Sequence, residues 1–247
     1  LETQAKSVMA VVMDPFTGEV FAMGQYPSFD PNRAKEYPPS LFSNQSISHL
    51  FEQGSTMKVL LAAEAVQTGL LKNDSLIHCG NGTLRIGNRT IGEAESDHKY
   101  GTLTLEKVIE YSSNIGAAKI AQVLGSDRVR SVLDKFGLTS KTNIFLPGEA
   151  ASSPKSEQFW KPLFLATVGF GQGVSVTPLQ MVSAYAPFAN GGYIVRPRIL
   201  MREMPSQNAE RLEVRRVLSP QTVEVMRDIL VAVTQGKNGT GIKAQIP

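Results

Sequence analysis

The chain has 247 residues, 42% hydrophobic and 19% charged, with a formal net charge of +3. That balance specifies a globular segment long enough to bury a sizeable core, and nothing in it suggests disorder or repeats. Interspersed charge and the lack of an aromatic and basic stripe argue against a nucleic-acid partner. The single cysteine, Cys79, excludes an internal disulfide framework, and no run of about 18 apolar residues is present to span a membrane.

In chain order, Ser7 to Met13 and Glu19 to Met23 are β-rich runs joined by Asp14-Pro15-Phe16-Thr17-Gly18, which predicts an antiparallel hairpin. Pro27 to Ser40, with four prolines, predicts an extended connection. Gly54 is placed as the N-cap of a helix with apolar Met57, Leu60, Leu61 and Val66, stopped at Gly69. Leu70 to Gly101 is polar, with strand-like pieces around Leu76 to His78 and Leu84 to Thr90, and is expected to form a lid or small excursion over the helical part. Thr104 to Tyr111, Ile115 to Leu124 and Ser126 to Phe136 show helical periodicity and together predict a helical layer.

Gly169-Phe170-Gly171-Gln172-Gly173 is a glycine-rich turn before Val174 to Val176. It lacks the Gly-x-Gly-x-x-Gly spacing and strand-then-helix order of a dinucleotide site. Thr177-Pro178 and Ser219-Pro220 each put an N-cap before a proline at the first helical position. They open helices over Leu179 to Ala189, closed by Gly191-Gly192, and over Gln221 to about Thr234. The chain then runs through Lys237-Asn238-Gly239-Thr240-Gly241 to Pro247.

The chemistry starts in Glu52-Gln53-Gly54-Ser55-Thr56-Met57-Lys58. A hydroxyl and an amine three residues apart at a helix start share one face, with Cβ atoms about 5–6 Å apart, so a serine can meet a base without histidine. Ser-x-x-Lys also occurs at Ser96 to Lys99 and at Ser152 to Lys155. The first lies in a charged run without helical period, and in the second Pro154 disfavours helix at the residue before it. Context therefore selects Ser55 and Lys58 among the three matches, with a solvated lysine and a capping serine as the alternative reading. Ser112 and Asn114 follow in Tyr111-Ser112-Ser113-Asn114, between two predicted helices. There a hydroxyl could relay a proton to Lys58 and a carboxamide could both donate to and accept from a substrate amide. The alternative role is a helix cap, and a second Ser-x-Asn stands at Ser206 to Asn208. The three histidines, His49, His78 and His98, show no ligand spacing, so no metal and no cofactor is expected, and His49 reads as a structural or surface residue.

Glu-Gln-Gly-Ser-Thr-Met-Lys, Ser-Ser-Asn-Ile-Gly, then Gly-Phe-Gly-Gln-Gly-Val-Ser-Val-Thr-Pro-Leu-Gln-Met with Ala-Asn-Gly-Gly, in that order, resemble the transpeptidase domain of class B penicillin-binding proteins. The resemblance covers nearly the whole chain. It implies an α+β fold of the penicillin-binding-protein and serine β-lactamase type, with a central antiparallel sheet and a helical layer, as one transpeptidase domain over 1–247. Ser55 would attack the D-Ala-D-Ala bond of a peptidoglycan stem peptide, or be acylated by a β-lactam antibiotic. Lys58 would be the base, its pKa lowered by burial and the helix N-terminus. Ser112 would pass protons between Lys58 and the leaving amine, and Asn114 would hold the acyl-side amide. The Ser55 backbone N–H would form half of an oxyanion hole.

Ser112-Ser113-Asn114 is more similar to the septal, cell-division type or its sporulation relatives than to the elongation type. The resemblance further implies an N-terminal membrane anchor outside this chain, a catalytic domain on the periplasmic side of the inner membrane, and a septal glycan polymerase and other division proteins as partners. Two departures stand out. Gln53 replaces a usual proline, and the family's Lys-Thr-Gly or Lys-Ser-Gly strand is not found after Gly239-Thr240-Gly241. The expectation is a chain cut short, its central sheet incomplete and the 247-residue piece by itself nearly inactive. Three other readings stay open: a β-lactamase of the same fold, a β-lactam sensor or degenerate scaffold, and an unrelated α/β domain with Ser55 and Ser112 far apart.

Overall fold

The computed structural model describes residues 4–152, 156–200 and 214–245. Its elements are β1 (Val8–Met13), β2 (Val20–Tyr26), α1 (Gln45–Ser48), β3 (Phe51–Glu52), α2 (Thr56–Gln67), β4 (Leu76–Gly80), β5 (Thr83–Ile86), β6 (Arg89–Gly92), β7 (Gly101–Thr104), α3 (Leu105–Glu110) and α4 (Asn114–Lys135). They continue with α5 (Pro162–Gly169), β8 (Ser175–Val176), α6 (Pro178–Ala189), β9 (Tyr193–Val195), β10 (Val214–Arg216) and α7 (Pro220–Gln235). The chain divides into two compact units.

The first unit comprises residues 1–51, 136–153 and 175–217. Its hairpin pairs β1 with β2 from Val8↔Tyr26 to Met13↔Val20 through the turn at Gly18, with an irregularity between Val12 and Met13. Strand β2 runs three residues beyond the predicted Met23. The connection after it is not wholly extended: its prolines start two short 3-10 turns, Pro31–Glu36 and Pro39–Phe42, as proline at a first helical position allows. Ile47, Ile144 and Leu179 form a buried cluster with Val11, Val20, Met23, Leu146 and Val182 against it. Helix α6 starts where Thr177-Pro178 predicts, in a capping box with Gln180. Gln180 also sends Nε2 to Ser140 O at 2.7 Å.

The second unit comprises residues 52–135, 154–174 and 218–247. Helix α2 is buried continuously from Met57 to Ala65, so it is the central rod of this unit rather than an amphipathic surface helix. Helices α3, α4, α5 and α7 contact it, which is the expected helical layer. Helix α4 joins the two predicted helices across a break at Gly125, φ +76° and ψ 164°. The polar segment is more regular than its sequence suggests. Strands β5 and β6 form a tight hairpin, and β4 pairs with β7, a strand the sequence does not predict. Ile91 of β6 packs with Ala117, Ala118, Ala166 and Phe170, and Leu84 and Ile86 join them. Part of this excursion is therefore core.

One cap differs from expectation. Gly54 has φ +57° and stands one residue outside, while Ser55 holds the N-cap position with helical φ −59° and ψ −15°. Its side chain makes no capping bond. The hydroxyl is thus not spent on the helix backbone, the usual use of a serine there.

Candidate active site

Ser55 is set at the head of α2 by a backbone clasp within the second unit. Gly54 N donates to Gly171 O at 3.2 Å, and Gly173 N donates to Glu52 Oε1 at 2.8 Å. The approach is so close that a Cβ on Gly171, φ +84°, would lie 1.9 Å from Gly54 O. The glycine-rich turn thus shapes the entry to α2. Between the two glycines' partners lies Gln53, only 7% exposed, and among the described residues neither atom of its amide has a hydrogen-bond partner.

One turn into α2, Lys58 is 2% exposed. Its ammonium has three donors, and three acceptors meet them: the Ser112 carbonyl, Ser112 Oγ at 3.0 Å and Asn114 Oδ1 at 2.9 Å. Ser112 Oγ donates to Ser55 Oγ at 2.9 Å. The four residues selected from the sequence therefore form one hydrogen-bonded chain, and Lys58 reaches Ser55 through Ser112. Burial pulls the Lys58 pKa down from 10.5 to about 8, and the opposing charge of Glu93 limits the fall.

The convergence on Lys58 depends on the junction of α3 and α4. Ser112 N donates to Ile109 O at 3.1 Å and Ser113 N to Val108 O at 2.9 Å, winding the end of α3. Ser112 then takes φ +56°, a left-handed conformation uncommon for a residue with a Cβ. In it both the carbonyl and the hydroxyl of Ser112 reach Lys58 Nζ. The helix cap foreseen as the alternative use of this segment is also present, but Ser113 supplies it: its Oγ accepts from Gly116 N at 2.9 Å.

Glu93 is absent from the sequence reading, where it belonged to a charged loop. Its carboxylate accepts from Ser113 Oγ and from Asn114 N, each at 2.6 Å. Ser96 and Lys99 are exposed in that loop, off any helix. Residues 153–155 of the third Ser-x-x-Lys and the whole of Ser206 to Asn208 lie outside the described residues. His49 is exposed. Glu95, Asp97 and His98 each bring a ligand-type atom within 4.8 Å of the others, but His98 is engaged by Tyr100 at 2.7 Å and Glu95 at 3.1 Å.

An exposed serine at a helix head, linked through a second hydroxyl to a buried amine of lowered pKa, has the parts of a serine acyl-transfer site that works without histidine. Residues 8–247 match the family described as penicillin binding protein transpeptidase domain. The chain belongs to that family, as a class B member.

Penicillin-binding protein PbpB of Mycolicibacterium smegmatis is 35% identical over 252 residues, covering 98% of this chain and 39% of that protein. Peptidoglycan D,D-transpeptidase FtsI of Escherichia coli K12 is 32% identical over 243 residues, covering 98% of this chain and 39% of that protein. Among solved structures, the apo transpeptidase domain of Burkholderia pseudomallei penicillin-binding protein 3 matches with a TM-score of 0.85 and 29% identity, over 100% of this chain and 67% of that one. Penicillin binding protein 3 of Mycobacterium tuberculosis complexed with ampicillin matches with a TM-score of 0.87 and 33% identity, over 98% and 56%. The α+β transpeptidase fold is thereby established, and the chain spans about two fifths of the curated relatives it matches.

Proposed function

We propose that the whole protein is a serine D,D-transpeptidase that cross-links peptidoglycan and is inhibited by β-lactams through acylation of Ser55. The observation that carries this reading is the hydrogen-bonded chain Ser55, Ser112, Lys58, Asn114 at the head of α2. Ser55 Oγ attacks the carbonyl carbon of the D-Ala-D-Ala bond. Its proton passes over Ser112 Oγ to neutral Lys58 Nζ. When the C–N bond breaks, the proton returns along the same path to the leaving D-Ala amine. The amine of a second stem peptide then attacks the ester and restores Ser55.

Asn114 Oδ1 is taken by Lys58, and Nδ2 donates to Gly92 O at 3.2 Å. An amide nitrogen has two hydrogens, and the second holds the acyl-side carbonyl of the substrate. The Ser55 N–H serves as one oxyanion donor. We assign 1–247 to a single transpeptidase domain of the septal or sporulation subtype, on the Ser112-Ser113-Asn114 sequence. Its partners are a septal glycan polymerase and other division proteins, and its place is the periplasmic side of the inner membrane. Among the described residues no helix is long and apolar enough to cross a membrane.

The test is labelling of the full-length protein with a fluorescent penicillin, followed by mass analysis of its peptides. The adduct is expected on Ser55 and is lost in Ser55→Ala; equal labelling of that variant would refute the assignment. Sustained release of hydrolysed antibiotic would favour a β-lactamase instead.

A further inference from the structure

Glu93 is the first residue after β6, and its two carboxylate oxygens are divided between neighbouring residues of the Ser112–Asn114 segment. Oε1 accepts from Ser113 Oγ and Oε2 from Asn114 N, each at 2.6 Å, short distances of the kind an ionised acceptor gives. The same two residues carry further bonds. Ser113 Oγ accepts from Gly116 N at 2.9 Å, and Asn114 Nδ2 donates to Gly92 O at 3.2 Å. The first turn of α4 is thus pinned to the end of β6, with a carboxylate at the positive end of the helical run that precedes the break at Gly125.

Two of the three acceptors around Lys58 belong to Ser112 and the third is Asn114 Oδ1. Each acceptor therefore belongs to a residue that Glu93 holds or to its immediate neighbour in the chain. We propose that Glu93 is a positioning residue for the acyl-transfer site: through Ser113 and Asn114 it keeps the acceptors of Lys58 in place, and it supplies a negative charge whose field reaches that ammonium. The inference rests on the acyl-transfer reading above.

Other ionisable groups surround the pair from each packed element: Cys79 on β4, Lys119 on α4, Glu95, Asp97 and Tyr100 after β6, and Tyr111 after α3. Burial pushes Cys79 and Tyr100 up from 9.0 and 10.0, so neither titrates before Lys58. Lys119 is turned away, onto the carbonyl of His78. Glu93 is the charge whose field is felt at Lys58.

The experiment measures the acylation rate of the full-length protein by a fluorescent penicillin across pH, for wild type, Glu93→Gln and Glu93→Asp. Glu93→Gln removes the charge and one acceptor. Its rate should reach half-maximum at lower pH than wild type, because Lys58 loses its proton more readily, and its plateau should fall. Glu93→Asp keeps the charge but is a methylene shorter, so its half-maximum should stay and its plateau fall.

Loss of rate in Glu93→Gln with an unmoved half-maximum would reduce Glu93 to a structural residue and overturn the proposal. If Glu93→Gln does not fold, Glu93→Asp decides: a wild-type plateau, or a moved half-maximum, overturns it. Failure of wild type to be labelled at Ser55 would instead sink the acyl-transfer reading on which it rests.

Discussion

The hydroxyl of Ser112 stands 2.9 Å from that of Ser55 and 3.0 Å from the ammonium of Lys58. An unrelated domain with the two serines far apart is thereby excluded. In the proposed mechanism a bridging hydroxyl in this place makes proton transfer from Ser55 to Lys58 a two-step relay. Ser112→Ala breaks the relay while leaving the Lys58 to Asn114 bond of 2.9 Å. Stopped-flow acylation of this variant by a fluorescent penicillin should be slower by about 10²–10⁴, the usual contribution of a positioned acid–base group. A rate indistinguishable from wild type would remove Ser112 from the chemistry.

Lys58 must be neutral to take a proton, and its pKa is brought to about 8. The wild-type acylation rate should therefore climb from pH 6.5 upward with half-maximum near 8. Lys58→Arg, always charged, should give no such rise and almost no acylation. A flat wild-type profile between those limits would separate Lys58 from the base role.

The same lowering has a cost in stability. Unfolded Lys58 keeps its proton up to about 10.5, whereas folded Lys58 releases it near 8. Between those values the unfolded state binds more protons, so stability rises with pH, and below about 8 the burial cost is fully present. Chemical denaturation of wild type and Lys58→Met at a series of pH values should show wild type gaining on the variant by about 3 kcal/mol from pH 8 to 10.5. Parallel curves would mean that Lys58 is not desolvated in the folded protein.

Gly171 admits no side chain, since a Cβ would meet Gly54 O at 1.9 Å and the φ of +84° is left-handed. Gly171→Ala should lower stability by about 3 kcal/mol and slow acylation as well, because the displaced segment carries Ser55. Thermal melting and labelling of one preparation test both halves. Loss of stability with full acylation would show the clasp to be structural only.

Gln53 offers the opposite experiment. Its amide is buried without a protein partner among the described residues, and an unsatisfied buried group costs about 1–3 kcal/mol. Gln53→Met keeps the length and drops the polar atoms. It should melt higher, by roughly 2–4 °C per kcal/mol recovered, with acylation unchanged. A lower melting temperature would show that the amide is satisfied in solution.

Local signals carried most of the fold. The caps Thr177 and Ser219 open α6 and α7 where their prolines place them, and Gly69 follows the end of α2. Such signals sit within one turn of the residues they control. Helix α5, Pro162–Gly169, was not foreseen: it is eight residues long and its N-cap Lys161 makes no side-chain capping bond. Strand β7 was missed because its identity depends on pairing with β4, more than 20 residues earlier. The hydrogen-bonded group Ser55, Lys58, Ser112 and Asn114 was legible because each lies in a short motif. Glu93 was not, since its partners stand 20 and 21 residues further on. No local pattern distinguishes a carboxylate that will reach them from one that faces water.

The left-handed backbone of Ser112, φ +56°, bears on drug escape. Threonine would keep the hydroxyl, but a β-branched residue is a true outlier in that conformation, and asparagine or glycine would keep the conformation without the relay. Chemical similarity and conformational tolerance thus single out serine from opposite directions. On the proposed function, selection by a β-lactam would have little freedom at this position, and viable resistance substitutions are expected around the serine rather than at it.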